Sequence, residues 1–279
     1  MTDIVIIGGG IAGLSVAARL APHADVTLLE AEDQLGHHAS SRSAAVFIEK
    51  YGNAVVRALN SASVPYLKSA VGNVLGLRGM LLVGAPEEKH DFRADASDFE
   101  LVEISAADAI KKVPLLSCTK LGFAAFREDV FDIDTDLLLQ SFRRDAQSHG
   151  LAIHTTAAVT AIDYQNRQWL ITAGGDIHTA DLLVNAAGAW ADPLAGMAGI
   201  DPIGITPYRR SMARIPVPGG YDARKWPLLN GVNERWYAKP DAGQLLVSPA
   251  DEDPMPPQDA WADDMVLAEG FARFEEIMR

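Results

Sequence analysis

"VIIGGGIAGLSVAARL" (Val5–Leu20) decides the fold. A short β-branched run enters three consecutive glycines and continues into apolar residues at helical spacing. Asp3 to Ile7 reads as a parallel strand buried on both faces. Gly8, Gly10 and Gly13 keep the spacing G-x-G-x-x-G. In that spacing the first glycine makes the tight turn, the second lets a pyrophosphate lie against the main chain, and the third lets helix and strand pack closely. A helix is expected from about Ile11 to Ala21. Its first amides, at Ile11 and Ala12, and its positive dipole end then point at the phosphate. "DVTLLE" follows as a second strand ending at Glu30, with Ala31 beside it. A carboxylate at that tip, about 20 residues on, suits a ribose 2′-hydroxyl and repels a 2′-phosphate. Strand, glycines, helix, strand and terminal acid in this order predict an adenine-dinucleotide site. They leave FAD and NAD open.

Composition narrows the classes. The 279 residues are 48% hydrophobic and 22% charged, ordinary for a globular chain of one large domain or two smaller ones. A net charge of −13 argues against nucleic acid as a partner, because phosphate binding needs clustered Lys and Arg, and it disfavours anionic membranes. No apolar run approaches the ~20 residues that span a bilayer. "MTDIVIIGGG" carries an acid and no basic region, so no signal peptide is expected. Cys118 is the only cysteine, which fits a reducing, cytoplasmic setting and an inert buried thiol.

Two later stretches separate the cofactors. After Glu30 comes "AEDQLGHHASSRSAAVF", a polar loop with an expected helix start at "SRSAA". Its hydroxyls and amides (Ser40, Ser41, Arg42, Ser43, Ala44, Ala45) suit further phosphate and ribose oxygens; the serines equally suit helix caps. His37 and His38 have no third ligand at metal spacing and read as loop residues, with no metal. "ADLLVNAAGAWADPLAG" is a second strand, turn and helix, with the strand at Ala180 to Asn185 and the helix starting near Trp190. A second junction after a long insertion is what an extended flavin nucleotide needs. It adds Ala187, Gly188 and Trp190 to the cofactor set, with Val159 from the preceding strands. A plain NAD dehydrogenase leaves the interruption unexplained.

"GGGIAGLSVAARL", "LLE", "GHHASSRSAA", "DIDTDLL" and "VNAAGAW", with "PYRRS" and "YAKPDAGQLLVSPAD" further on, resemble the FAD-dependent D-amino-acid oxidase-like (DAO) family. Within it the likeness is to bacterial D-amino-acid dehydrogenases of the D-arginine dehydrogenase type. The resemblance implies FAD and oxidation of a carbon–nitrogen bond next to a carboxylate. The imino acid formed is hydrolysed to a 2-oxo acid and ammonia, and electrons pass to oxygen, a quinone or a dye.

The pattern of elements gives an α/β fold: a doubly wound FAD-binding (glutathione-reductase-like Rossmann) domain interleaved with an antiparallel-sheet substrate domain. The expected boundaries are 1–76 and 134–204 for the first, 77–133 and 205–279 for the second. "NAVVRALNSASVPYLKSA" and "DIDTDLLLQSFRRDAQSHG" read as helices, the latter with capping acids, Thr135 at its start and Gly150 after its end. "RGMLLVGA", "LGFAAFRE", "LAIHT", "AAVTAIDY" and "QWLITAGGDIHTADLLV" read as strands, as do "ITPYRRSMARIPV", "ERWYAKP" and "GQLLVSP". "DMVLAEGFARFEEIMR" closes the chain as a helix. Members of the family continue past that helix, so the resemblance implies a truncated chain, a partner chain completing the flavin site, or a lost function; a partial flavin subunit inactive without a partner chain is the alternative to an enzyme acting alone.

A flavin amine dehydrogenase must hold a carboxylate, and arginine's rigid fork does this. Arg209 and Arg210 are the candidates. Alternate strand residues face opposite sides, so one of them faces the flavin, and the resemblance favours Arg209. It also places Tyr237 and Tyr51 at substrate-contacting positions, although core tyrosines are the ordinary alternative. Where arginine-type relatives carry a histidine and a glutamate, this chain has Val46 and Gly79. D-Arginine and D-lysine are therefore not the expected substrates. A smaller, apolar, cyclic or N-methylated amino acid fits better, and glycine or sarcosine oxidation is the nearest rival.

Overall fold

The computed structural model describes residues 3–69 and 73–279. The chain divides into two compact units, one formed by Met1–Ser43, Asp134–Pro207 and Met255–Asp259, the other by Ala44–Ile133, Tyr208–Pro254 and Ala260–Arg279.

The first unit is built on a four-stranded parallel sheet. Its order is Leu182–Asn185, Asp3–Ile7, Asp25–Leu29, Ala152–His154. Asp3–Ile7 is central, and Ile4 to Ile7 are buried, as a strand covered on both faces must be. Helix Ile11–Leu20 follows the glycine turn and packs beside helix Thr135–Ser148. The latter begins where its sequence indicates: Asp134 Oδ1 accepts from Leu137 N at 2.8 Å. An antiparallel meander of Val159–Gln165, Gln168–Ala173 and Asp176–Ala180 covers the sheet, burying Ile171, Ala173 and Ala180 against Val5, Ile7 and Leu29. Gly174 and Gly175 make its second turn at φ +60° and +92°. The apolar run read as one strand at 180–185 is split, because Ala180 ends the meander and Leu182–Asn185 joins the parallel sheet.

The second unit carries a seven-stranded sheet. Its order is Ala213–Ile215, Gln244–Ser248, Tyr237–Asp241, Leu228–Gly231, Met80–Gly84, Phe123–Arg127, Val102–Ile104. It is antiparallel except between Leu228–Gly231 and Met80–Gly84, which pair in parallel, so the sheet is mixed rather than purely antiparallel. Met80–Gly84 is buried throughout because both faces are covered. Leu81 and Val83 pack towards Trp236, Leu245 and Phe274 of the closing helix Asp264–Glu276, whereas Leu82 packs against Phe92 and Ala96 of helix Lys89–Asp98.

Four expectations change here. Residues 44–76 belong with the second unit, because Val46–Phe47 and Leu75–Leu77 both pair with Phe131–Ile133. Likewise residues 205–207 and 255–259 fall in the first unit, where Met255 N donates to Pro207 O at 2.9 Å. No helix begins at "SRSAA": Ser40–Arg42 lie in turns and bends, and Ala45, at φ +50°, leads into Val46–Phe47. Cys118 is exposed, because the neighbouring Leu115 and Leu116 fill the core and the thiol falls in the turn beyond them. The expected helix over 53–70 forms as Ala54–Ser69, and Ala70 lies outside the described residues. No helix among the described residues is long and apolar enough to cross a membrane.

Candidate functional site

The glycine turn is a cradle that side chains would fill. Gly8 sits at φ +109°, and a Cβ there would meet Ala186 O at 2.4 Å. A Cβ at Gly13 would lie 1.9 Å from Gly8 O, so helix and strand end approach as only glycine allows. A Cβ at Gly10 would meet just Ser40 Oγ within 4 Å, which leaves that backbone face open. Gly10 caps helix Ile11–Leu20 without a side chain, and the first turn holds no acid. The helix end thus suits a negative group.

Glu30 is buried at the tip of Asp25–Leu29. Its Oε2 accepts from Gly9 N at 2.6 Å and its Oε1 from Glu32 N at 2.9 Å. A carboxylate has about four acceptor sites, so both oxygens keep a lone pair for sugar hydroxyls. Gly9 holds this acid in place, and a Cβ there would meet Leu35 Cδ2 at 2.5 Å. Spacing alone did not single out Gly9.

The loop after Glu32 folds back on the helix end. Ser40 Oγ accepts from Ile11 N at 3.0 Å, and Ser41 N donates to Gly36 O at 3.1 Å. Ser40 is therefore a cap, but of the preceding helix. Arg42 pairs with Asp259, and Ala44 and Ala45 belong to the other unit. The structure brings Glu32 to the two histidines, with His38 Nε2 3.0 Å from Glu32 Oε1. The His37–His38 pair thus has the third neighbour that sequence spacing did not reveal.

The second junction lies alongside. Ala186 N donates to Ile7 O at 2.9 Å, Gly188 takes φ +53°, and Gly188–Trp190 forms a 3₁₀ turn before helix Ala191–Met197. The Trp190 ring packs on His38 with centroids 4.6 Å apart. Val159 packs on the cluster containing Ile7 and Leu29, and Ala157 N donates to Glu30 O at 2.8 Å.

The catalytic candidates lie in the second unit. Arg209 Nε is 3.1 Å from Asp251 Oδ2 and its Nη2 2.5 Å from Asp253 Oδ2. Asp251 also accepts from Ser211 Oγ at 2.8 Å. The Arg209 fork thus faces two carboxylates. Arg210 pairs with Glu252, and its charge reaches Tyr51, Tyr237 and Glu234. The Tyr237 hydroxyl hydrogen-bonds Ser248, whose own hydroxyl donates to Ser211 O at 2.6 Å. Tyr51, 41% exposed, stacks on Phe99 and hydrogen-bonds Glu234. Burial pushes both phenols and the Glu234 carboxyl above their ordinary pKa values.

Residues 3–279 match the family described as FAD dependent oxidoreductase (DAO). The chain belongs to that family. It is 24% identical over 275 residues to rat mitochondrial dimethylglycine dehydrogenase, covering 93% of this chain and 32% of that protein. It is 24% identical over 236 residues to a glycine oxidase of Geobacillus kaustophilus, covering 77% of this chain and 62% of that enzyme. The chain therefore spans about a third and under two thirds of these two relatives' lengths. The fold superposes on L-proline dehydrogenase from P. horikoshii with a TM-score of 0.82 at 21% identity, over 99% of this chain and 77% of the other.

The residues fit the family's cofactor. Gly8 and Gly13 close the turn, the backbone face of Gly10 is open to a phosphate, and Glu30 is buried with acceptor capacity left. Gly79 takes φ +73° and a Cβ there would meet the Phe126 ring at 2.9 Å, so no glutamate is accommodated. Val46 packs in a cluster with Met80, Phe99 and Tyr237. Glu234 was not legible from sequence. Its turn holds Asn233 and Glu234 at φ +58° and +50°, anchored by Asn233 N donating to Asp95 Oδ2 at 2.6 Å.

Proposed function

We propose that this chain binds FAD and oxidises the carbon–nitrogen bond next to the carboxylate of a small D-amino acid. The observation that carries this reading is Arg210, which pairs with Glu252 and whose charge reaches Tyr51 and Tyr237 together, whereas Arg209 pairs with Asp251 and Asp253. An arginine fork with two phenols suits a carboxylate, whose oxygens accept from both donor types.

Gly10, Ile11 and Ala12 would hold the pyrophosphate, Glu30 with Ala31 the adenosine ribose, and Ser41, Val159, Ala187, Gly188 and Trp190 further parts of the nucleotide. Bound FAD supplies a two-electron acceptor. Arg210 fixes the substrate carboxylate, and the two tyrosines orient it. Raised phenol pKa values keep Tyr51 and Tyr237 protonated at neutral pH, so both stay donors. The imino acid leaves and water converts it to a 2-oxo acid and ammonia. Val46 and the closed space at Gly79 favour a small or apolar side chain over arginine or lysine. The acceptor that reoxidises the flavin is oxygen, a quinone or a dye.

A second reading is favoured by the relatives' names, dimethylglycine dehydrogenase and glycine oxidase: glycine or an N-substituted glycine as substrate. One substrate panel tests both. Purified protein loaded with FAD is mixed anaerobically with D-amino acids, glycine, sarcosine and dimethylglycine, and flavin bleaching is followed. Bleaching by small D-amino acids, weakened in Arg210→Lys, supports the first reading. Bleaching confined to glycines supports the second, and D-arginine as best substrate refutes the pocket argument.

A further inference from the structure

We propose that Glu32, His37 and His38 form a binding site for a divalent transition ion of the Zn²⁺ kind. The site lies wholly in the first unit, beside Trp190, and draws on none of the substrate-contacting candidates. One ligand atom from each residue falls within 4.8 Å of the other two, and all three residues are half-buried. Two imidazoles and one carboxylate are a zinc donor set, and three protein ligands leave a position for water.

Zn–N and Zn–O distances of about 2.0–2.2 Å put tetrahedral ligand atoms about 3.4 Å apart. Glu32 Oε1 and His38 Nε2, at 3.0 Å, are already there. His37 Nε2 lies 3.0 Å from Arg42 Nη2 and its Nδ1 3.3 Å from Gln34 Nε2, so closing the site requires the His37 ring to give up one of these partners to the ion. Asp259 stands behind both rings, with Oδ2 3.5 Å from His37 Nε2 and Oδ1 3.9 Å from His38 Nδ1. An ion takes the Nε2 lone pair of His38. The ring proton then moves to Nδ1, where Asp259 faces it. A carboxylate behind a ligating histidine fixes the tautomer and raises the ligand's basicity. Arg42 pairs with Asp259 and limits the negative charge around the ion. Exposed His154 and half-buried His178 also touch, with ring centroids 5.1 Å apart, and lie outside this three-residue group.

The test uses the untagged full chain. Co²⁺ is titrated and its d–d absorption recorded, and Zn²⁺ is followed by calorimetry. One ion per chain is expected, with a tetrahedral or five-coordinate Co²⁺ spectrum. Binding weakens at least ~100-fold in His37→Gln/His38→Gln and ~10–100-fold in Asp259→Asn. His154→Gln/His178→Gln binds as wild type. Unchanged circular dichroism establishes that each variant folds, and Glu32→Gln replaces the double variant if that one does not. A wild type without the Co²⁺ band, or ligand-deleted protein that binds equally well, overturns the proposal. An unchanged Asp259→Asn overturns the role given to that carboxylate.

Discussion

Replacing Gly13 by alanine sets the close approach of helix and strand against helix propensity. The new Cβ would stand 1.9 Å from Gly8 O, over 1 Å inside the 3.0 Å that such carbons keep. The obstacle is a backbone carbonyl in the glycine turn, so no side chain can swing away. Overpacking of this kind costs about 1–3 kcal/mol, and a rigid backbone neighbour argues for the upper half. Alanine returns up to about 1 kcal/mol as a better helix former. The net loss is about 1–2 kcal/mol. At roughly 2–4 °C per kcal/mol for a chain of this size, that is a drop of about 2–8 °C in melting temperature. Gly10→Ala is the contrast. Its Cβ meets only Ser40 Oγ, at 3.1 Å, so the fold should tolerate it while the phosphate face is obstructed. Differential scanning fluorimetry without cofactor, followed by FAD titration, separates the two effects. Gly13→Ala should melt early, and Gly10→Ala should melt near wild type but bind FAD weakly. A Gly13→Ala protein that melts with wild type and takes up FAD normally would refute the packing argument.

Other outcomes follow from the same geometry. Arg210→Lys should raise KM in the proposed reaction more than it lowers stability, whereas Arg209→Ala should lower stability by about 1–3 kcal/mol by leaving buried Asp251 short of a partner; denaturant melts and kinetics of both variants check this. Burial raises the Glu234 pKa in the folded state, so that state binds more protons than the unfolded chain above the ordinary carboxylate range. Stability from this group should fall as pH rises from about 4.5 through the raised value, so Glu234→Gln should gain on wild type at pH 7 relative to pH 4 in paired urea melts. Gly79→Ala combines a left-handed backbone with a 2.9 Å contact on Phe126 and should lose at least about 1 kcal/mol; a melting temperature equal to wild type would sink that reading.

The nucleotide half was legible because its signals are local. Asp3–Ile7, the glycine turn and Glu30 lie within thirty residues, and each has one physical role that its residue type discloses. The same holds for Asp134 as a cap and for Gly174-Gly175 as a turn. What stayed hidden depends on distant pairing. Val46 looked like part of the loop until its pairing with Asp132 appeared. Leu228–Gly231 needs Met80–Gly84, and "PLLNGV" by itself shows no alternation to mark it. Glu234 and Glu32 matter for what they approach, and Asp251 engages Arg209 from forty-two positions away. Cys118 misled because composition says that free thiols are usually buried, whereas a turn position overrode it.

Asp3–Ile7 sits between Asp25–Leu29 and Leu182–Asn185. During synthesis its first neighbour emerges almost at once, but the second leaves the ribosome only after more than half of the chain. For that interval an apolar strand shows one unsatisfied edge, which invites pairing with another nascent chain. Production of this protein should therefore respond to slower translation and to chaperones that shield strand edges, well before any demand from its chemistry.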